Sequence, residues 1–262
     1  MAHVSGLRIY PVKSLRGVDV HSANVEKRGL AGDRRWMLVK PDGKFLTQRD
    51  EPSLARIKAS LVGDAIKLEA EGFGEAIASQ PEGELFEVTV WNDTVGSVDA
   101  GDTIADWITS VVGFDSRLVF MPVQTQRQVW PQYAREGDVV GFADAFPVLL
   151  ANRASLDDLN DKLDAPVPLD RFRANIVVDG FDAFQEDVWT KVTIGPVTFR
   201  NAKRCGRCLV TTTDQETGER RGPEPIATLS KYRLIDQIAV FGTYLIPDSQ
   251  GEVRVGDEVI VE

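Results

Sequence analysis

Trp36-Met37-Leu38-Val39, followed by Lys40-Pro41-Asp42-Gly43-Lys44 and then Phe45, is the stretch from which the fold is read. Four apolar residues lead into a proline, which presets one turn position, and a glycine, which supplies positive φ without steric cost. The segment is expected to be a β-hairpin. Runs of the same kind lie on either side: Leu7-Arg8-Ile9-Tyr10, Val18-Asp19-Val20, Ala65-Ile66-Lys67-Leu68 and Leu85-Phe86-Glu87-Val88-Thr89-Val90. Short strands with turns at regular spacing indicate a small barrel or sandwich. The first helix is expected from residue 102 to 113, where Ile104, Trp107, Ile108, Val111 and Val112 recur at helical spacing. Asp102 or Thr103 would cap it and Gly113 would end it.

Further along, a strand is expected at 117–120. The polar stretch 124–138, with Trp130, Pro131 and Tyr133, reads as a long loop. A strand at 148–150 leads to a short helix capped by Ser155, with Leu156, Leu159 and Leu163 inward, and then to a strand at 176–178. The remainder is strand-rich: 192–199, 209–213, and a closing pair, 252–255 and 258–261, around Gly256-Asp257. The expected class is mainly β with a few helices (α+β), with a soft boundary near residues 110–120.

The 262 residues are enough to bury roughly three quarters of the unfolded chain's surface. With 43% hydrophobic and 27% charged residues, disorder, collagen and coiled coil are excluded as global descriptions. A net charge of −10 repels a phosphate backbone, so no nucleic-acid partner is expected. The N-terminus lacks the apolar run of a signal peptide, and no stretch approaches the ~18 apolar residues of a spanning helix. No membrane association is expected, and the expected compartment is a reducing cytoplasm. Neither a phosphate-binding P-loop, a dinucleotide fingerprint nor a serine-hydrolase elbow is present.

The chemistry concentrates in Lys203-Arg204-Cys205-Gly206-Arg207-Cys208-Leu209-Val210-Thr211-Thr212-Thr213, where the chain's two cysteines are flanked by three cations. Positive charge favours thiolate, so lowered cysteine pKa values are expected. Zinc needs about four ligands, and the two histidines, His3 and His21, lie in the N-terminal strands, where they read as surface residues. A thioredoxin-like pair precedes a helix, whereas β-branched residues here indicate a following strand. What remains is a single thiolate donating to a soft metal carried by a bound cofactor, whose charge arginines would neutralise. Cationic clusters at 10–17, 29–36 and 170–175 point the same way. Asp157, Asp158 and Asp161 read as a solvated helix face, Trp107 as core, and Trp36 and Trp91 as strand-packing residues. Trp130 and Tyr133 would either line a substrate mouth or anchor a loop.

Four segments carry a resemblance: Tyr10-Pro11-Val12-Lys13-Ser14-Leu15-Arg16-Gly17, Gly32-Asp33-Arg34-Arg35-Trp36, Phe172-Arg173-Ala174-Asn175-Ile176-Val177-Val178, and the run from Cys205 through Leu209-Val210-Thr211-Thr212 to Gly218. In this order, over essentially the whole chain, they resemble MOSC-domain proteins, and more closely the branch containing the mitochondrial amidoxime-reducing component and its bacterial relatives. The resemblance implies a MOSC N-terminal β-barrel module at 1–115 packed with a MOSC β-barrel domain at 116–262. It implies a molybdenum cofactor, a pterin dithiolene with a terminal phosphate. Cys208 would ligate the metal, and Lys13, Ser14, Arg34, Arg173 and Asn175 would hold pterin and phosphate. Tyr244 matches a further residue near the cofactor; the match leaves Cys205 without a role. The implied activity is reduction of N-hydroxylated compounds such as amidoximes and hydroxylamines. Asp144-Ala145-Phe146-Pro147 departs from a more polar family stretch, and Ala174 replaces a usual proline. The ferredoxin-like C-terminal domain of some bacterial relatives does not follow Glu262, so electrons are expected from a separate protein, ferredoxin- or cytochrome b5-like. The alternatives are a sulfur-transfer protein with Cys208 as persulfide, or a molybdenum-cofactor carrier.

Overall fold

In the computed structural model, which describes residues 1–262, the chain is mostly strand with three helices, α1 (Asp102–Val112), α2 (Arg153–Asn160) and α3 (Ile226–Tyr232). Its largest sheet runs Val259–Val261, Lys191–Ile194, Val197–Gly206, Ile238–Pro247, Val148–Asn152, Ile176–Asp179, His3–Ile9, Val18–Val20, with Leu234–Ile235 paired onto Ile238–Pro247. The order closes on itself one strand in from its end, where His3–Ile9 meets the residues leading into Val259–Val261. Val4 donates to the Asp257 carbonyl (2.9 Å) and accepts from the Gly256 N–H (2.8 Å), so the sheet curls around its own core. Alternate residues fill that core, among them Leu7 and Ile9, Ile176 and Val178, and Val197 and Phe199. Val148–Asn152 is buried throughout because it is covered on both faces. Val148 and Leu150 enter the barrel core, while Leu149 and Ala151 pack with Leu156 and Leu159 of α2. Its neighbour Ile176–Asp179 is parallel, reached through the α2 crossover.

The other half builds a four-stranded sheet, Trp36–Val39, Arg117–Phe120, Asp93–Asp99, Phe86–Val90, and a three-stranded one, Lys58–Val62, Ala65–Ala70, Gly74–Ala78. Between them, Ile104 and Ile108 of α1 join Trp36, Leu38 and Leu118 in one core. A small sheet of Gly251–Arg254, Ser22–Glu26 and Gly29–Leu30 ties the chain's last strands to its first thirty residues. No helix is long and apolar enough to cross a membrane.

The expected turn at 40–44 forms: Gly43 has φ +78° and the Lys40 N–H reaches the Lys44 carbonyl at 2.8 Å. The second arm of that hairpin is reduced to isolated bridges, Val39 to Phe45 and Lys44 to Thr89. Several local expectations are corrected. Gly101, not Asp102 or Thr103, occupies the cap of α1, and Asp102 instead pairs with Arg117 (2.9 Å). Asn152 caps α2 by accepting from the Ala154 N–H (3.2 Å), while Ser155 is buried inside it and donates to Glu186 (2.8 Å). Residues 192–199 are not one strand but a hairpin that turns at Gly195-Pro196. The closing strands part company: Gly251–Arg254 joins the small sheet and Val259–Val261 the large one. Residues 209–212 form a 3₁₀ turn rather than a strand. There the Thr211 and Thr212 hydroxyls donate to the carbonyls of Cys208 (3.0 Å) and Leu209 (2.7 Å), offering the backbone a local alternative to a ladder.

One glycine is sterically required where two barrel strands meet. Gly242 has φ +71°, and a Cβ there would sit 2.6 Å from the Leu150 carbonyl oxygen. Gly242→Ala is expected to lose about 2–4 kcal/mol, combining an unfavourable φ with overpacking. Urea denaturation checks this, and a loss under ~0.5 kcal/mol would show that the strands can part without cost.

Candidate functional site

Three residues singled out in the sequence sit in the left-handed backbone region: Ser14 (φ +68°), Arg34 (+45°) and Arg173 (+57°). Such conformations cost on the order of 1–3 kcal/mol each and persist only where the surroundings fix them. For Arg34 the fixing bonds are its N–H to the Tyr10 carbonyl (2.8 Å) and its carbonyl to the Phe142 N–H (2.7 Å). Arg173 ends the 3₁₀ turn Leu169–Phe172. These turns aim side chains from both halves of the chain into one cleft of about 120 Å³, which all seven predicted residues line: Lys13, Ser14, Arg34, Arg173, Asn175, Cys208 and Tyr244.

Each has a defined setting. Lys13 is buried, its ammonium donating to the Phe142 carbonyl (2.9 Å) and to Asp144 Oδ1 (2.5 Å). Arg34 reaches Asp33 (2.6 Å), Asn175 Oδ1 (3.0 Å) and the Arg173 carbonyl (3.2 Å). Arg173 donates to the Leu15 carbonyl (2.8 Å) and Gln215 (3.3 Å), with no carboxylate partner. Both guanidiniums stack against the Tyr10 ring, 4.3 and 4.2 Å from its centroid. Asn175 spends its amide on the protein: Nδ2 donates to Asp33 (2.9 Å) and to the Arg8 carbonyl (3.1 Å), while Oδ1 also accepts from the Leu149 N–H (3.2 Å). It orients Arg34 and has no free donor for a ligand. Tyr244 lies face to face with Phe146 (4.6 Å between centroids). Cys208 stands half-buried at the start of the 3₁₀ turn, its thiol unbonded to any other cysteine.

The cluster around the cysteines divides. Only Arg207 turns inward, donating to Cys205 Sγ (2.7 Å) and the Phe172 carbonyl (2.6 Å), while its Nε finds no partner. Lys203 instead lies over the rings of Trp130 and Tyr133, and Arg204 pairs with Asp187 (3.2 Å). The expectation of lowered pKa fails for Cys205, whose thiol is pushed up because burial outweighs the nearby guanidinium. Each of the other clusters contributes selectively as well. Arg35 turns to the Met121 carbonyl, Arg16 to Glu216 and Arg171 to Asp214, all away from the cleft.

Arg49, not singled out beforehand, completes the wall, with Trp91 against it. Arg49 pairs with Asp144 (3.3 Å). Trp91 is not a strand-packing residue: at φ +57° between two strands it lies over Arg49 (4.2 Å) and donates to Asp144 (3.2 Å). Nothing in its local sequence marks that role, because a strand tryptophan and a turn tryptophan flanked by Asn-Asp look alike. Trp130 and Tyr133 anchor the long loop, since Tyr133 packs on Phe146, which backs Tyr244.

The electrostatics favour an anion. Five cations (Lys13, Arg34, Arg49, Arg173, Arg207) meet two carboxylates, Asp33 and Asp144, in a chain of net charge −10. Burial lowers the Arg173 pKa to about 10 and that of Lys13 to about 8, with Asp144 partly opposing the latter shift. Burial works against the charge of Asp144, but Lys13 and Arg49 together hold its carboxyl well below the usual range. An anion in the cleft would draw on a protonated Lys13, so binding should weaken as pH rises through 8. Between pH 7 and 9.5 we expect sulfate, whose own charge is constant, to bind roughly tenfold more weakly, with Lys13→Met flat over that window. Calorimetric titration tests it, and a pH-independent affinity in the parent would remove Lys13 from the receptor.

Comparison with known proteins fits this geometry. The MOSC N-terminal beta barrel domain model matches residues 1–115 and the MOSC domain model residues 137–260. "Mitochondrial amidoxime reducing component 2" of Bos taurus is 34% identical, over 98% of this chain and 82% of the relative. "Mitochondrial amidoxime-reducing component 1" of Homo sapiens is 33% identical over the same shares, and that of Mus musculus 34% over 98% and 81%. With both modules present, in order, and relatives aligned over 98% of its length, the chain belongs to the MOSC-domain family, among the relatives of the amidoxime-reducing components.

Proposed function

We propose that the protein is a molybdenum-cofactor-dependent reductase of N-hydroxylated compounds, receiving electrons from a separate redox protein. The observation that carries this reading is a half-buried thiol, Cys208, opening onto a cleft in which cations outnumber carboxylates. The donor chemistry fits the group: a soft sulfur suits molybdenum, and guanidiniums suit phosphate and a polar heterocycle edge. When bound, the cofactor would supply a metal that accepts an oxygen atom from an N–O bond and cycles two electrons.

The chain's own residues would divide the remaining tasks. Cys208 ligates the metal. Lys13, Ser14, Arg34 and Arg173 neutralise and orient the anionic group, with Asn175 and Asp33 fixing Arg34. Phe146 and Tyr244 exclude water from one wall. Burial raises the Tyr244 hydroxyl well above its ordinary pKa, so it keeps its proton at neutral pH. Overall, an N-hydroxy group, two electrons and two protons give an amine or amidine and water.

The test is molybdenum and pterin quantification on protein from a molybdenum-replete host, followed by benzamidoxime reduction with an artificial electron donor. About one molybdenum per chain, as a single-cysteine site requires, together with reduction supports the proposal. Bound molybdenum without reduction would make the protein a carrier. A persulfide on Cys208 without pterin would make it a sulfur-transfer protein.

A further inference from the structure

A second cavity, about 460 Å³, lies beyond the ring that carries the cleft's guanidiniums. Tyr10 is common to both: Arg34 and Arg173 stack on its face, and the residue lines the second cavity. The volume falls within the range of small-molecule pockets, and the lining is amphipathic, with Leu7, Val20, Leu169 and Val177 supplying apolar surface.

Two polar atoms of this lining are left over. Tyr10 is 2% exposed and its hydroxyl has no hydrogen-bond partner. Asp170 uses one carboxylate oxygen on Arg8 (3.6 Å), while Oδ1 is buried and unpartnered. Leaving such groups unsatisfied costs on the order of 1–3 kcal/mol each, so each calls for a partner in the cavity. One is a donor and the other an acceptor, so a single hydroxyl group, accepting from Tyr10 and donating to Asp170, would satisfy both. The lining's two cations and two carboxylates are unevenly paired. Arg8 is neutralised by Asp19 (2.7 Å) and Asp170, whereas exposed Arg153, at the start of α2, has no carboxylate partner.

We propose that this cavity binds a small hydroxy acid. Its hydroxyl sits between Tyr10 and Asp170, its hydrocarbon body covers the apolar lining, and its anionic group pairs with Arg153. The site is separate from the cleft, and the proposal stands whether or not the protein is a reductase.

The probes are 8-anilinonaphthalene-1-sulfonate, an amphipathic anion whose fluorescence rises in apolar surroundings, and 4-hydroxybenzoate with benzoate as competitors. The expected result is a saturable fluorescence signal at one site, displaced by 4-hydroxybenzoate about tenfold more effectively than by benzoate, the worth of one buried hydroxyl pair. Tyr10→Phe keeps the ring and its stacked guanidiniums and should erase most of that difference. Arg153→Ala should weaken both competitors about fivefold, as one partly screened ion pair allows. Val255→Trp, a change of an exposed lining residue, should block the probe. Circular dichroism of each variant separates lost binding from lost fold. A signal unchanged by Val255→Trp, or equal displacement by both competitors, overturns the proposal; the second outcome would leave ordered water as the partner of Tyr10 and Asp170.

Discussion

Cys208→Ala is expected to lower benzamidoxime reduction a hundredfold or more and to strip molybdenum from the purified protein, while changing stability by less than about 1 kcal/mol. Substitution of groups that merely orient metal ligands typically costs 10–100-fold, so removal of the one thiolate the protein would contribute should exceed that range. The small stability effect follows from the local contacts. The Cys208 thiol takes part in no hydrogen bond of the fold; it is the backbone carbonyl that receives the Thr211 N–H (3.0 Å) and hydroxyl (3.0 Å), and alanine keeps both. Cys205→Ala is the contrasting variant. Cys205 is 2% exposed and accepts from Arg207, so its loss should be felt in stability, with the metal retained. Metal content by mass spectrometry, turnover and urea unfolding are read on all three proteins. Molybdenum and activity retained in Cys208→Ala would remove the thiol from the site and the reductase proposal with it. Activity lost equally in both variants would indicate a dithiol mechanism instead.

The strands were legible because period-two alternation and turn residues are local properties. Val148–Asn152 and Ile176–Asp179 declare themselves by apolar content alone, and the turn at Gly43 by its own chemistry. The seven candidate residues were picked out by their motifs, and the structure gathers them in one cleft. Direction was not legible. Of three cations beside the cysteines only Arg207 enters the cleft, because irregular pairing of Val197–Gly206 with Ile238–Pro247 breaks simple alternation between Asn201 and Lys203 and again between Arg204 and Gly206. Burial was equally out of reach: charged neighbours in sequence suggested an acidic Cys205, whereas the desolvation that decides its pKa comes from residues distant in the chain. The threonines after Cys208 misled for a related reason. β-Branched residues favour strands on average, but their hydroxyls can instead close a 3₁₀ turn, and here that turn presents the thiol.

In the sequence Asp33 is only one member of the Gly32–Trp36 motif, yet its removal should have the largest effect on stability. Its carboxylate, 3% exposed, accepts from the Tyr10 N–H (2.8 Å), from Asn175 Nδ2 (2.9 Å) and from Arg34 (2.6 Å). Those three partners come from Tyr10, from the turn carrying Arg34, and from the bend between Arg173 and the strand Ile176–Asp179, so one carboxylate joins both halves of the cleft. Asp33→Ala would leave Arg34 without a counterion and two buried N–H groups without acceptors. Breaking such a pair by removing one member typically costs about 3–5 kcal/mol, most of it the penalty of the stranded charge. Two further variants identify that source. Asp33→Asn preserves acceptor geometry toward Tyr10 and should cost less than Asp33→Ala. Adding Arg34→Met to Asp33→Ala removes the stranded cation and should recover part of the loss in urea unfolding. Sulfate affinity should not recover with it, because Arg34 belongs to the anion receptor itself. That divergence separates the two roles of the pair: stability follows whether the buried charge is compensated, whereas anion binding follows whether the guanidinium is present and aimed. A double variant as unstable as Asp33→Ala alone would place the cost in the lost backbone and amide acceptors rather than in the charge.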